Sequence, residues 1–413
     1  MQILSEYLRK HSLHPPLIQI PPTDKLYTII VIPCFNEPDV IASLDSLKNC
    51  NSTKFPVEIL IVLNHSIEAT QDILNQHHHT AENIKNWITN NTHIQRRFHL
   101  IEICDMPAKD AGVGLARKTG MDEAVRRLLL AGNPDGIIAG FDADCICDAN
   151  YLSEIEIAFL QNQRMHGASV YFEHPMTGSE FESSIYDAII QYELHLRYYK
   201  QALYYTGFPY AFHTVGSSFV VRADTYCMQG GMNKKKAGED FYFLSKVIPH
   251  GKYGEINSTR VVPSPRLSDR VPFGTGAAIG KMIQKQQLEF LTYPFELFLE
   301  LKSFFSKLEQ VYILDSYFEQ ESILSRFMSD IQFDKEIMEI IKNTSSFEAF
   351  YKRFFLKFNA FKILKFFNYA VGMGYAQSPV VIEAQKLAAL TKMNFEGDAG
   401  FMLENYRSID RRL

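Results

Sequence analysis

From Tyr27 to about Phe172, short β-branched apolar runs alternate with amphipathic stretches. A chain satisfies that pattern by laying strands side by side and covering the sheet faces with helices, so it predicts β-α-β units and a mostly parallel sheet. The runs are Tyr27 to Ile32, Val57 to Leu63, Phe98 to Cys104 and Gly136 to Phe141, each long enough for one buried strand. Between them, Asp39 to Asn49 and Val113 to Leu130 repeat their apolar residues on one helical face.

After Phe172 the alternation loosens. Glu180 to Tyr205 reads as a long helix and Ser217 to Arg222 as a strand entering the Gly230-Gly231 turn, and the sheet is expected to end near that point. Pro263 to Gly276 carries three prolines and two glycines and reads as a loop. From about Ala277 the periodicity is helical and rich in phenylalanine. The expected organisation is an N-terminal arm over 1–26, an α/β domain over 27–276 and a helical domain over 277–413.

With 42 Lys and Arg against 47 Asp and Glu, the net charge of −5 argues against a chain dominated by phosphate-backbone binding, and no nucleic-acid partner is expected. The six cysteines form no C-x-x-C pair or framework spacing, which points to a reducing compartment and free thiols for Cys145 and Cys147. Glu6, Arg9, Lys10 and His11 interrupt the start, so no secretory leader can be drawn. The longest apolar run, Leu26 to Phe35, is about half the length a membrane helix needs. The expectation is a cytoplasmic protein.

Four clusters carry chemistry. Asp142-Ala143-Asp144 follows the strand Gly136 to Gly140, at the kind of strand end where parallel sheets bind ligands. Two carboxylates there suit Mg²⁺ or Mn²⁺, which keep coordination positions for phosphate oxygens; the alternative is that Asp144 caps the next helix. An EF-hand fails, because the glycine and the distal glutamate are out of place. Gly238-Glu239-Asp240 precedes an apolar helix start, where the helix dipole favours ionised carboxylates. Pro33-Cys34-Phe35-Asn36-Glu37 ends the first strand. Lys109 to Lys118, containing Gly112 and Arg117, offers a glycine turn and cations to a nucleotide or diphosphate without being a dinucleotide or Walker loop.

In this order the four clusters resemble the family 2-like glycosyltransferases of the GT-A fold. Pro33 to Glu37 matches P-x-[YF]-N-E, Ala116-Arg117-Lys118-Thr119-Gly120 matches A-R-[NK]-x-G, Asp142-Ala143-Asp144 matches D-x-D, and Gly230-Gly231-Met232-Asn233…Gly238-Glu239-Asp240 matches the G-G-[FM]-N…G-E-D segment. The resemblance runs from about Tyr27 to Val262, with Gly216 to Arg222 like the strand before the G-E-D loop. Where many members have Asp-Asp-x-Ser after the second strand, this chain reads Leu63-Asn64-His65-Ser66, which makes Asn64 the donor-binding candidate there. The Q-x-x-R-W motif of processive synthases is absent, which implies transfer of a single sugar.

The resemblance implies a nucleotide-sugar donor, inversion at the anomeric carbon, a divalent metal on Asp142 and Asp144, Asp240 as general base and Glu239 orienting the acceptor or Asp240. Pro33, Phe35, Asn36, Glu37, Asn64, Gly112, Arg117 and Asp142 become donor-binding candidates. Arg266 and Arg270 sit in the breaker-rich loop, as a closing lid over donor phosphates or as surface residues of a linker. Two rival classes are a nucleotidyltransferase and a nucleotide- or glycan-binding scaffold without turnover. The acceptor is expected to be a glycan, a lipid-linked molecule or a small molecule. His77-His78-His79 reads as a solvated loop, because three adjacent residues cannot share one helical face. The basic residues among the C-terminal phenylalanines suit a bundle helix, with peripheral contact to anionic lipid as the alternative.

Overall fold

The computed structural model describes residues 1–93, 95–268, 274–287, 289–314, 322–391 and 395–412. The chain divides into two compact units, one comprising 1–186, 214–280 and 410–413, the other 187–213 and 281–409.

The first unit is built on an eight-stranded sheet. Its strands are β1 (Thr28–Cys34), β2 (Val57–Ser66), β3 (Arg96–Met106), β4 (Ile137–Gly140), β5 (Cys145–Cys147), β6 (Met165–Phe172), β7 (Phe219–Arg222) and β8 (Lys252–Pro263), in the spatial order β3-β2-β1-β4-β7-β6-β8-β5. β1, β2, β3 and β4 run parallel, β7 is antiparallel to both its neighbours, β6 and β8 pair parallel, and β5 closes the edge antiparallel to β8. The sequence Thr-Ile-Ile-Val-Ile-Pro-Cys of β1 is buried at all seven positions, as expected for a central strand covered on both faces.

The helices of this unit are α1 (Gln2–His11), α2 (Val40–Lys48), α3 (Gln71–Asn90), α4 (Val113–Leu130), α5 (Tyr151–Gln161), the start of α6 (Ser183–Tyr205), α7 (Ala223–Met228), α8 (Glu239–Val247) and part of α9 (Thr275–Gln284). Gly120 lets α4 lie flat on the sheet, because a Cβ there would stand 2.5 Å from Val31 Cγ1 and 2.8 Å from Val62 Cγ2. The first 26 residues contain a docked helix. Tyr7 of α1 donates its hydroxyl to Asp122 Oδ1 over 2.7 Å, the Tyr226 hydroxyl donates to the same oxygen over 2.8 Å, and Lys118 Nζ lies 2.9 Å from Asp122 Oδ2. The segment after α1 is pinned by Glu58 of β2, which accepts from the Thr23 amide over 2.8 Å and from Arg127. Burial alone would raise the Glu58 carboxyl, but hydrogen bonds from Arg127, His99 and Thr23 pull it down to about 2.

Two expectations are corrected. The sheet does not end near Arg222: β8 runs for 12 residues beyond it, hidden in the sequence because Lys-Tyr-Gly-Glu-Ile-Asn-Ser-Thr-Arg lacks an apolar run. The three histidines do not lie in a loop, since α3 carries them through 20 residues, with His77 buried on its inner face and His78 and His79 exposed. The C-x-C residues Cys145 and Cys147 are free thiols in β5.

The second unit is helical. It takes the rest of α6 and α9, then α10 (Phe295–Phe305), α11 (Leu308–Ile313), α12 (Ile323–Asp330), α13 (Phe333–Lys342), α14 (Phe347–Lys357), α15 (Ala360–Gly372), α16 (Val380–Leu390) and most of α17 (Ala399–Arg412). A ribbon of two-residue strands, Leu291–Thr292 and Ser378–Pro379, pairs antiparallel within it. Its core is aromatic: Phe305 meets Phe355 edge to face at 4.9 Å, and Phe298 lies 4.6 Å from Phe367. Buried Glu193 is held by Arg197 and Arg407. No helix among the described residues is long and apolar enough to cross a membrane.

Candidate active site

Each acid of the site is placed by a strand end or a helix start. β4 stops at Gly140, and the Phe141 amide still bonds to Val31 of β1, which sets Asp142 beside the end of β1. The turn that follows is fixed from below by Ser43 of α2, whose hydroxyl donates to the Ala143 carbonyl at 2.8 Å and the Cys145 carbonyl at 2.6 Å. Pro33 is buried near the end of β1, and Phe35, just after it, is half-buried. Asn36 is exposed in the left-handed region at φ 47°, and that turn brings Glu37 back into the interior, beside α3, whose Thr80 hydroxyl donates to the Glu37 carbonyl at 3.0 Å.

Two arginines meet these carboxylates. Arg117 in the first turns of α4 is fully buried; its guanidinium bonds Glu239 through Nη1 and Asp142 Oδ1 through Nη2, the latter at 2.5 Å. Gly216 makes room for it, because a Cβ there would lie 2.6 Å from Nη1 and 2.8 Å from Nη2. Arg266 arrives by a different route. β5 pairs with β8 in the register Cys145↔Pro263, so the chain leaving β8 passes the acid turn. Arg266, three residues on, places Nε 2.9 Å from Asp144 Oδ2 and bonds both oxygens of Glu37, one of them at 3.0 Å. The expected loop thus holds one of its two arginines on the acids. Arg270 lies outside the described residues.

Glu239 and Asp240 open α8, where unpaired helix N–H groups favour negative charge. The Phe241 amide donates to Asp240 Oδ1 at 2.7 Å. The Gly112 segment at the start of α4 packs against the preceding loop: Lys236 Nζ donates to the Ala108 carbonyl at 2.8 Å, and a Cβ on Gly112 would stand 3.1 Å from Lys236 Cα. Asn64 is buried at the end of β2 and spends its amide on the Cys34 carbonyl at 2.9 Å and the Val62 carbonyl at 3.2 Å. It braces β1 against β2.

Crowding shifts these acids. Burial, opposed by Arg266 and assisted by Asp144, pushes Glu37 up to about 7. Burial, opposed by Arg117 and assisted by Asp240, does the same to Glu239. Asp142 is raised by desolvation against the pull of Arg117, with Asp144 and Asp240 adding repulsion, and Asp240 is raised chiefly by desolvation, again opposed by Arg117. Five carboxylates (Glu37, Asp142, Asp144, Glu239, Asp240) therefore share two described guanidinium groups. The hard oxygen donors of Asp142 and Asp144 at a strand end are of the kind a divalent cation takes. Sequence reasoning missed Ser43, Gly216 and Lys236. Only Lys236 had a visible signal, the Lys234-Lys235-Lys236 run just before Gly238.

Residues 29–225 match the family described as glycosyl transferase family 2. No curated protein matches the chain. Among solved structures, the chain is similar to S. aureus TarS 1–349 in complex with UDP, at 11% identity and a TM-score of 0.36, over 58% of this chain and 60% of that one. It is similar to the same fragment in complex with UDP-GlcNAc, at 11% identity and 0.39, over 93% and 90%. It is also similar to the mannosyltransferase PcManGT from Pyrobaculum calidifontis in complex with GDP-Man and Mn²⁺, at 12% identity and 0.36, over 99% and 91%. The chain thus spans less than two thirds of the first of these. The family match lies over β1, β4 and the acids that follow them, Glu37, Asp142 and Asp144, so the segment 29–225 of this α/β unit is similar to a family 2 glycosyltransferase domain.

Proposed function

We propose that the first unit moves a single sugar from a nucleotide-sugar donor to an acceptor hydroxyl, with inversion at the anomeric carbon. The observation that carries this reading is the convergence of Glu37, Asp142, Asp144, Glu239 and Asp240 around Arg117 and Arg266, because two charges must be handled in such a transfer. The attacking hydroxyl loses a proton, and the departing diphosphate gains negative charge.

Asp240 is the base. Its raised carboxyl accepts a proton more readily than an ordinary aspartate, and the Phe241 amide orients it. Glu239, fixed by Arg117, holds its neighbour in register. Asp142 and Asp144 are the residues that would hold Mn²⁺ or Mg²⁺, and the bound ion would supply electrostatic stabilisation of the diphosphate oxygens. Glu37, Asn36, Phe35 and Gly112 face the donor, with buried Pro33 and Asn64 shaping the strand ends behind them. Arg266 and Arg270 act as cations toward the donor phosphates, Arg266 from its position on Glu37 and Asp144. The nucleobase and sugar follow from a panel: UDP-, GDP- and dTDP-sugars are incubated with the full chain and Mn²⁺. Release of nucleoside diphosphate supports transfer, whereas pyrophosphate release from nucleoside triphosphate supports nucleotidyl transfer instead. A donor that raises the melting temperature without product would support a scaffold.

A further inference from the structure

A second cluster of ligand-type side chains lies at the β2–β3 edge. β2 and β3 pair in register to Asn64↔Ile103 and then slip before Ser66↔Met106, so His65 sits at an irregularity opposite the end of β3. Glu102 and Cys104 are two residues apart on β3 and share a face. α3 packs over this region and brings buried His77 down onto it. His77 Nε2 is 3.6 Å from Cys104 Sγ and 3.7 Å from Glu102 Oε2, and the rings of His65 and His77 meet edge to face at 4.6 Å between centroids. One ligand atom each from His65, His77 and Cys104 falls within 4.8 Å of the others, and no other such group of three occurs among the described residues.

The spacing has a chemical meaning. In a tetrahedral zinc site, metal–nitrogen and metal–sulfur bonds of about 2.0 and 2.3 Å put nitrogen and sulfur about 3.5 Å apart. The His77–Cys104 separation of 3.6 Å is close to that edge. His65 is also prepared for such a role: its Nδ1 lies 2.9 Å from the Ser66 carbonyl oxygen. A proton held there leaves the Nε2 lone pair for a metal, the arrangement in which a backbone carbonyl fixes the tautomer of a ligating imidazole. The buried His77 Nδ1 has no hydrogen-bond partner, so no backbone bond fixes the ring.

We propose that His65, His77 and Cys104, with a water molecule as fourth ligand, form a zinc-binding site separate from the Asp142–Asp144 pair. Two imidazoles and a thiolate select zinc over the hard cations that carboxylates prefer. Bound zinc joins α3 to the edge strand. Each bond is a lone-pair donation, and the thiol releases its proton to solvent as the thiolate binds. This assignment is independent of the sugar-transfer reading.

The test uses the full chain, stripped with chelator and titrated with Co²⁺. One equivalent is expected to give a thiolate-to-cobalt charge-transfer band with the visible absorption of a tetrahedral ion, both abolished by stoichiometric Zn²⁺. Cys104→Ser should remove the charge-transfer band and His65→Ala should lower affinity at least tenfold, while Cys227→Ser and the double variant Asp142→Asn, Asp144→Asn retain the spectrum. Absence of the band, or its persistence in Cys104→Ser, overturns the proposal. A second measurement needs no variant: Zn²⁺ should slow alkylation of Cys104, followed by peptide mass, at least tenfold in the unmutated chain. An unchanged rate overturns it equally.

Discussion

Arg117 donates to Asp142 across 2.5 Å and so ties the start of α4 to the acid end of β4. The same guanidinium holds Glu239 at the opening of α8. Removing it leaves buried Glu239 without its ion-pair partner beside partly exposed Asp142, and breaking a buried pair from one side costs about 3 to 5 kcal/mol. Arg117→Ala is therefore expected to lower the unfolding free energy read from urea denaturation by that amount, with a lower midpoint. Arg117→Lys should recover only part of it, because one ammonium cannot span both acids as the planar fork does. Equal midpoints for the wild type and Arg117→Ala would contradict the bridge.

Asp240→Asn keeps the volume and the helix start but removes the proposed proton acceptor. We expect kcat to fall by about 10² to 10⁴, with donor binding preserved in a thermal-shift titration. In the wild type, the upward shift of Glu239 and Asp240 puts the acid limb of the rate profile above the ordinary carboxylate range. Activity should rise with pH as the pair loses its protons.

Glu37 makes stability depend on pH in the unusual direction. The unfolded chain releases this proton near 4.5 and the folded chain near 7, so between those values the folded state binds more protons and loses stability as pH rises. Glu37→Gln should flatten that decline, as read from denaturation midpoints at pH 5 and pH 7.5. A steeper decline in the variant would show that Arg266 dominates over burial.

Tyr7→Phe removes one donor from buried Asp122 while leaving the ring contact with Tyr226. A loss of about 1 to 3 kcal/mol is expected, together with faster proteolysis within residues 1–26. Unchanged protease resistance would mean that α1 is held by packing alone.

Much of this fold is legible from residues 27–172, because buried parallel strands such as Thr28–Cys34 announce themselves as β-branched runs. β8 is not legible, since polar residues interrupt its apolar ones over Lys252 to Arg260 and it is specified by partners on β6 and β5 rather than by its own pattern. The site divides in the same way. Asp142, Asp144, Glu239 and Asp240 stand in short local strings that place them at strand and helix ends. The pairing of Arg266 with Glu37 joins residues 229 apart in sequence, and no local string encodes a partner at that distance. The histidine triplet by itself carries no helical period and so does not announce the 20-residue α3 around it. Only His77 faces inward, and its partners come from β2 and β3.

The register Cys145↔Pro263 sets the order in which a nascent chain can complete this cleft. All strands through β7 leave the ribosome before the one that seats β5 and delivers Arg266, so the acid turn emerges long before its closing edge. A fragment trimmed to the family-matched segment, 29–225, would lack that edge altogether and expose the flanks of β5 and β6 to pairing with other chains. Expression boundaries for this domain belong beyond residue 266.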